Sequence, residues 1–175
     1  MILGLDFATL TGWAHGDAND PWFGTWDMSG GGSHPGRRFS ELRRNLVELY
    51  RARPFDRVVA EDASFGANVK HLATMAFHNC MKGTVLLTCC DLGVPVTMVV
   101  PTEWKAWMGS GRMKKAETMR AVETLWGVTV RDDNQADAIC LMKYGEWLRQ
   151  GGREKEPAKT KRAAKRRAKA TNLFK

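Results

Sequence analysis

The chain is short of the features that mark several large protein classes. Its four cysteines, Cys80, Cys89, Cys90 and Cys140, lack the paired spacing of a zinc site. No signal peptide is recognisable, and no apolar run reaches the roughly 18 residues of a membrane span. A reducing, cytoplasmic location without membrane attachment is therefore expected. Cys80, Cys89 and Cys90 fall in an apolar helical stretch and read as buried free thiols. His15, His34, His71 and His78 are scattered, and no serine or cysteine stands in an arrangement suited to a catalytic triad. Gly109-x-Gly111 lacks the third glycine and the strand context of a dinucleotide site. No internal repeat is present.

An excess of either charge is missing from most of the chain. Residues 1–152 carry 17 basic and 17 acidic side chains, whereas Arg153 to Lys175 holds ten Lys and Arg against two Glu, so the whole net charge of +8 sits at the C-terminus. This segment has almost no apolar residue to bury and is expected to be disordered when free. It reads either as a solvated tail or as an arm that binds a polyanion, and nucleic acid is favoured. Gly151-Gly152 forms its hinge. Residues 1–150 are expected to form one domain and 151–175 a basic tail, with 175 residues enough for a core without disulfides.

Periodicity predicts an α/β order. Strands are expected at Met1 to Phe7, Thr11 to Gly16 and Trp22 to Met28 as an antiparallel meander, followed by the glycine-rich loop from Ser29 to Gly36. Phe39, Leu42, Leu46 and Leu49 recur at helical spacing within Arg37 to Ala52, and Pro54 ends that helix. A strand at Arg57 to Glu61, a long helix from Asn68 to Leu92 and a strand at Val94 to Val100 follow. Helices over Thr102 to Trp107, Lys114 to Trp126 and Asn134 to Arg149 close the domain. On the long helix Ala76, Cys80 and Gly83 share one side. Such a small-residue face reads first as a docking face for the chain's own sheet and second as a two-fold dimer interface.

Against this background three acidic positions stand out. Asp6 ends the apolar run from Met1 to Leu5, Glu61 ends Val58-Val59-Ala60, and Asp133 and Asp137 open the last helix one turn apart. Taken singly, each has an ordinary explanation: a turn former, a rim charge, a cap. Together they place carboxylates where two strand ends and a helix start can meet. Crowded carboxylates repel unless a cation neutralises them, and oxygen ligands without His or Cys select Mg²⁺, with Mn²⁺ able to substitute. Two such ions about 4 Å apart could support phosphodiester hydrolysis.

These residues carry a resemblance. Ile2-Leu3-Gly4-Leu5-Asp6 with Gly12, Val58-Val59-Ala60-Glu61, the stretch from Pro101 to Lys115 with Lys105, Gly109 and Gly111, and Asp133-Asn-Gln-Ala-Asp137-Ala138 together resemble the RuvC family of Holliday-junction resolvases, within the ribonuclease-H-like superfamily. The resemblance runs from Met1 to about Arg149. It implies a mixed five-stranded sheet flanked by helices, with Asp6, Glu61 and Asp137 as metal-binding catalytic acids. Lys105 and Lys115 would face DNA phosphates, with Lys114 and Arg112 beside them. The family commonly carries two acids three residues apart in the closing helix; here Asn134 takes the earlier place, which leaves Asp133 or Asn134 as fourth ligand, Asp133 being preferred. An aromatic residue often follows the second acid to stack on junction bases, and Phe65 stands near that place as either a stacking residue or a loop aromatic. Small size and the basic arm suggest a phage or mobile-element version.

The function so implied is metal-dependent, structure-selective cutting of four-way or other branched DNA, by a homodimer that matches the two-fold symmetry of a junction. The alternative is a non-catalytic nucleic-acid-binding protein of the same fold. An ATP-binding protein of the sugar-kinase and actin type needs a second, duplicated half, for which the chain is too short.

Overall fold

The computed structural model describes residues 1–16, 20–30, 34, 36–62 and 72–152. The chain runs β1 (Ile2–Asp6), β2 (Leu10–Gly16), β3 (Pro21–Asp27), α1 (Arg37–Ala52), β4 (Arg57–Glu61), α2 (Leu72–Asp91), β5 (Val96–Val99), α3 (Pro101–Trp107), α4 (Lys115–Trp126) and α5 (Asp133–Arg149). The five strands form one mixed sheet in the order β3-β2-β1-β4-β5. β1, β2 and β3 pair antiparallel, and β4 runs parallel to both β1 and β5. This is the expected α/β sheet.

The central strands are apolar throughout because both sheet faces are covered. Side chains alternate between the two sides. Leu3, Leu5, Val58 and Ala60 pack with Leu42, Leu46 and Leu49 of α1 and Met81, Val85 and Cys89 of α2. Ile2 and Val59 face the other way, onto a layer of Trp104, Val122 and the α5 residues Ile139, Leu141 and Met142. Local signals set the element ends. Pro101 opens α3 at its first turn, and Gly93 and Gly127 adopt φ of +70° and +66° just after α2 and α4. The Asp132 carboxylate caps α5 by accepting from the Gln135 backbone N–H at 2.8 Å.

α5 is buried on every side from Gln135 to Gly145. It lies directly on β1 and β2, and two glycines make that approach possible. A Cβ on Gly4 would collide with the Ala138 carbonyl oxygen and the Met142 backbone nitrogen; one on Gly12 would collide with the Asn134 carbonyl oxygen. The missing side chains let the helix backbone touch the sheet, which brings the first turn of α5 to the ends of the strands.

Two expectations are corrected on α2. Its buried residues are Met81, Val85, Thr88 and Cys89, whereas Ala76, Cys80 and Gly83 are exposed, so the small-residue face does not dock on the chain's own sheet. Cys80 and Cys90 are likewise exposed, and only Cys89 and Cys140 are buried free thiols. The cause is phase: with apolar residues all round the helix, periodicity does not say which side the sheet takes. The expected helix start at Asn68, the aromatic Phe65 and the tail from Arg153 onward lie outside the described residues. No helix among the described residues is long and apolar enough to cross a membrane.

Candidate active site

The parallel pairing of β1 and β4 aligns Leu5 with Ala60, so Asp6 and Glu61 end adjacent strands on the same sheet edge. The chain turns sharply after Asp6. Thr11 braces this turn, accepting from the Ala8 backbone N–H at 3.2 Å and donating to the Ala8 carbonyl at 2.7 Å. From above, α5 adds Asp133 in its first turn and Asp137 one turn on. Asp132, as the cap, is the ordinary helix-start acid, which leaves Asp133 free for another partner. That partner is Lys115, at the start of α4, whose ammonium forms an ion pair with Asp133.

The electrostatics show that these acids share one field. Burial, followed by the charges of Glu61, Asp137 and Asp133, pushes the Asp6 carboxyl well above the ordinary carboxylate range, with Lys105 opposing. Burial also raises Glu61, against a hydrogen bond from Trp104 and the charges of Lys105 and Lys115. Asp137 is buried, and burial pushes its carboxyl up to about 7; Lys105 acts against the shift, while Glu61 and Asp133 add to it. The ion pair with Asp133 holds Lys115 above its ordinary value. All four predicted acids, with Lys105 and Lys115, therefore converge.

The remaining predicted residues stand apart. Arg112 and Lys114 are exposed between α3 and α4, where the Arg112 backbone N–H donates to Ser110 Oγ at 3.3 Å and the Lys114 backbone N–H to Glu117 Oε2 at 2.8 Å. Phe65 lies outside the described residues. Asn134 lines a cleft beside the acids together with Asp133 and Lys115.

One residue of the site carried no readable signal. Trp104, fully buried in α3, donates its indole N–H to Glu61 Oε2 at 2.9 Å, and Lys105 Nζ lies 4.9 Å from the centre of its ring. The 43 residues separating Trp104 from Glu61 leave no spacing to read; only the β4–β5 pairing that starts α3 at the sheet edge brings them together.

The donor set suits a hard divalent cation. The candidate ligands are all oxygens, carboxylates apart from the amide of Asn134, and Asp137 Oδ1 is buried with no hydrogen-bond partner, a costly state that a cation relieves. Among the described residues no three His, Cys, Asp or Glu are arranged to hold a metal ion as they stand. Two of the acids are engaged by neighbours, Asp133 by Lys115 and Glu61 by Trp104.

No protein-family model and no curated protein matches this chain. Solved structures do. Thermus thermophilus RuvC matches at 23% identity with a TM-score of 0.63, covering 86% of this chain and 96% of that one. T. thermophilus RuvC in complex with a Holliday junction substrate matches at 19% identity and a TM-score of 0.68, over 86% and 95% of the two chains. The yeast mitochondrial Holliday junction resolvase Ydc2 matches at 11% identity and a TM-score of 0.52, over 85% and 80%. Identities this low establish the fold, which is the ribonuclease-H-like fold of the RuvC structures.

Proposed function

We propose that this chain is a metal-dependent endodeoxyribonuclease that resolves Holliday junctions or other branched DNA. The observation that carries the proposal is the convergence of Asp6, Glu61, Asp133 and Asp137 at one sheet edge, with Asp6, Glu61 and Asp137 raised by burial and Asp137 Oδ1 left without a partner. The likeness in fold to junction resolvases supports the choice of substrate.

Asp6, Glu61, Asp137 and Asp133 would hold Mg²⁺, or Mn²⁺ in its place. The ions supply a water of lowered pKa and neutralise charge on the leaving oxygen of a phosphodiester. Every other part of the mechanism belongs to the chain. Burial keeps the acids dry and strengthens their hold on a cation. Trp104 fixes the Glu61 carboxylate through one hydrogen bond, so that this ligand is oriented before a cation arrives. Lys105 and Lys115, placed at the rim of the acids, attract the scissile phosphate and offset its charge, and Lys115 leaves Asp133 to do so. Arg112 and Lys114 extend the basic surface along the backbone of the substrate. Residues 1–150 form the nuclease domain in this proposal, and the ten basic residues from Arg153 onward add affinity that falls with salt.

A junction needs two cuts related by an approximate two-fold axis, which a homodimer supplies. The proposed interface is the exposed stripe of α2, running Leu72, Ala76, Cys80, Gly83 and Leu87 at helical spacing. Leu72 and Leu87 are 64% and 61% exposed, and nothing lies within 4 Å of a Cβ placed on Gly83. A second copy of the helix can approach closely there.

The test is incubation of the protein with a labelled four-way junction and a linear duplex, in Mg²⁺, Mn²⁺ or EDTA, beside Asp6→Asn. Paired nicks confined to the junction, absent in EDTA and reduced about 10³-fold or more by Asp6→Asn, are expected, since the lost charge stabilisation is worth several kcal/mol. A rise in thermal midpoint on adding Mg²⁺ that Asp6→Asn abolishes is the second readout. Junction binding without cutting under any cation overturns the nuclease reading.

A further inference from the structure

Two acids of the site carry a neighbour, and the two neighbours differ in kind. Trp104, which donates to Glu61, is locked in the core. Lys115, which pairs with Asp133, reaches in from solvent: its side chain is 76% exposed, against 27% for that of Asp133. These two residues are the first of α4 and of α5, yet neither helix start needs their ion pair. At α4 the Lys114 backbone N–H donates to Glu117 Oε2 at 2.8 Å. At α5 the Asp132 carboxylate accepts from the Gln135 backbone N–H at 2.8 Å and from the Thr25 hydroxyl at 2.8 Å. The pair can therefore open without uncapping a helix or uncovering the core. What it does instead is occupy a candidate ligand, while Asp137 Oδ1, one turn further on, is buried with no hydrogen-bond partner.

We propose that Lys115 is a latch on the metal site: its ammonium holds Asp133 as a built-in counter-ion until a divalent cation displaces it, and the displaced ammonium is then free for the substrate phosphate. The inference rests on the metal-dependent reading above and adds the regulation of that site. An ammonium and a divalent cation repel at close range, so they compete for the Asp133 carboxylate rather than share it. The charge of Lys105 acts on Asp6, Glu61 and Asp137, which leaves Lys115 as the cation paired with Asp133. Once the metal takes Asp133, Lys115 has lost its carboxylate, and the anion left for it is a phosphate of the DNA. A phosphate that draws Lys115 away first has the same effect in reverse, because coupling between two ligands is reciprocal. Metal and DNA thus strengthen each other's binding. The free protein stays sparsely loaded with metal, and loading is completed on the substrate.

Metal binding without DNA separates this inference from the chemistry of cutting. Mn²⁺ is the probe, titrated into the full-length chain with the free ion read by electron paramagnetic resonance. Lys115→Gln is expected to bind Mn²⁺ about fivefold more tightly than the wild type, the upper range for an ion pair this exposed. Lys114→Gln removes the same charge from the neighbouring exposed position without touching the pair, and is expected to change the affinity by less than about twofold, since solvent and salt screen it. In an Asp133→Asn background, where the ammonium has no carboxylate to hold, Lys115→Gln is expected to gain nothing. No gain in Lys115→Gln, equal gains in Lys114→Gln and Lys115→Gln, or a gain that survives in Asp133→Asn overturns the latch. If Asp133→Asn binds too little Mn²⁺ to measure, the comparison of Lys114→Gln with Lys115→Gln decides. A wild-type chain that binds Mn²⁺ and cuts junctions, with no gain in Lys115→Gln, keeps the nuclease reading and loses the latch. The full pattern in a protein that cuts under no cation loses the nuclease reading and keeps the latch, and an absence of Mn²⁺ binding in every variant overturns both.

Discussion

Helices α2 and α5 are both apolar around most of their circumference, yet one is covered and the other is not. α5 is buried without interruption from Gln135 to Gly145, held between the sheet and the layer of α3 and α4. α2 buries only Met81, Val85, Thr88 and Cys89 and leaves Leu72, Leu86 and Leu87 at 64%, 41% and 61% exposure. A helix apolar all round is stable where both sides are covered. On α5 the fold supplies the second cover; on α2 the proposed second copy does. The contrast also divides the labour, because the enclosed helix carries the costly acid Asp137 and the open one carries the surface left for partners.

The sharpest way to probe the enclosed helix is pH. The Asp137 carboxyl titrates at about 7 in the folded chain against 3.8 ordinarily. Between those values the folded chain keeps a proton that the unfolded chain has lost. In EDTA, stability is therefore expected to be full below about pH 4, to fall as pH rises to about 7, and to level off above, by on the order of 4 kcal/mol. Asp137→Asn should make that slope shallower, leaving the part that Asp6 and Glu61 contribute, and be the more stable protein at pH 8 without metal, while losing cutting. Thermal melts across pH check both; a slope unchanged in the variant breaks the assignment.

The open helix is tested by charge. Leu87→Asp places two carboxylates in the proposed two-fold interface and is expected to weaken the dimer by about 10²-fold or more, from the lost burial of two leucines. Sedimentation velocity over a concentration series reads this directly. A wild-type chain that is monomeric at all concentrations removes the second copy as the cover of α2.

Gly12→Ala attacks the cover of α5 itself. The added methyl meets the Asn134 backbone, which cannot swing aside as a side chain can, and a loss of about 2 kcal/mol in urea unfolding is expected. Gly83→Ala on α2, with nothing within 4 Å, is expected to leave monomer stability unchanged or slightly raised. A conditional effect is expected at Trp104→Phe, which keeps most of the packing and removes the hydrogen bond to Glu61. Cutting at limiting Mg²⁺ should fall about tenfold and recover at high Mg²⁺, the mark of a residue that positions a ligand.

Much of the site was legible in the chain because strand-end acids break an apolar pattern. Asp6 after Leu5 and Glu61 after Ala60 were read from that interruption, and the sheet brought them to adjacent strands. Asp133 and Asp137 followed from helical spacing, whereas the role of Asp132 as the cap, which frees Asp133, needed the Gln135 contact. On α2, by contrast, the burial of Ala76, Cys80 and Gly83 was misjudged, because an all-round apolar helix has no preferred face in the sequence alone.

What the sequence by itself determined is the set of local instructions: strand and helix periods, the stop at Pro54, the acids at segment ends, and a net charge confined to the last 23 residues. Only the tertiary structure decided which distant groups meet. Trp104 reaches Glu61, Arg38 lies on Phe77 beside Asp133, and the α5 backbone rests on Gly4 and Gly12, because strand order and close packing act between residues far apart in the chain. Periodicity records which sides of an element are apolar; it does not record what will cover them.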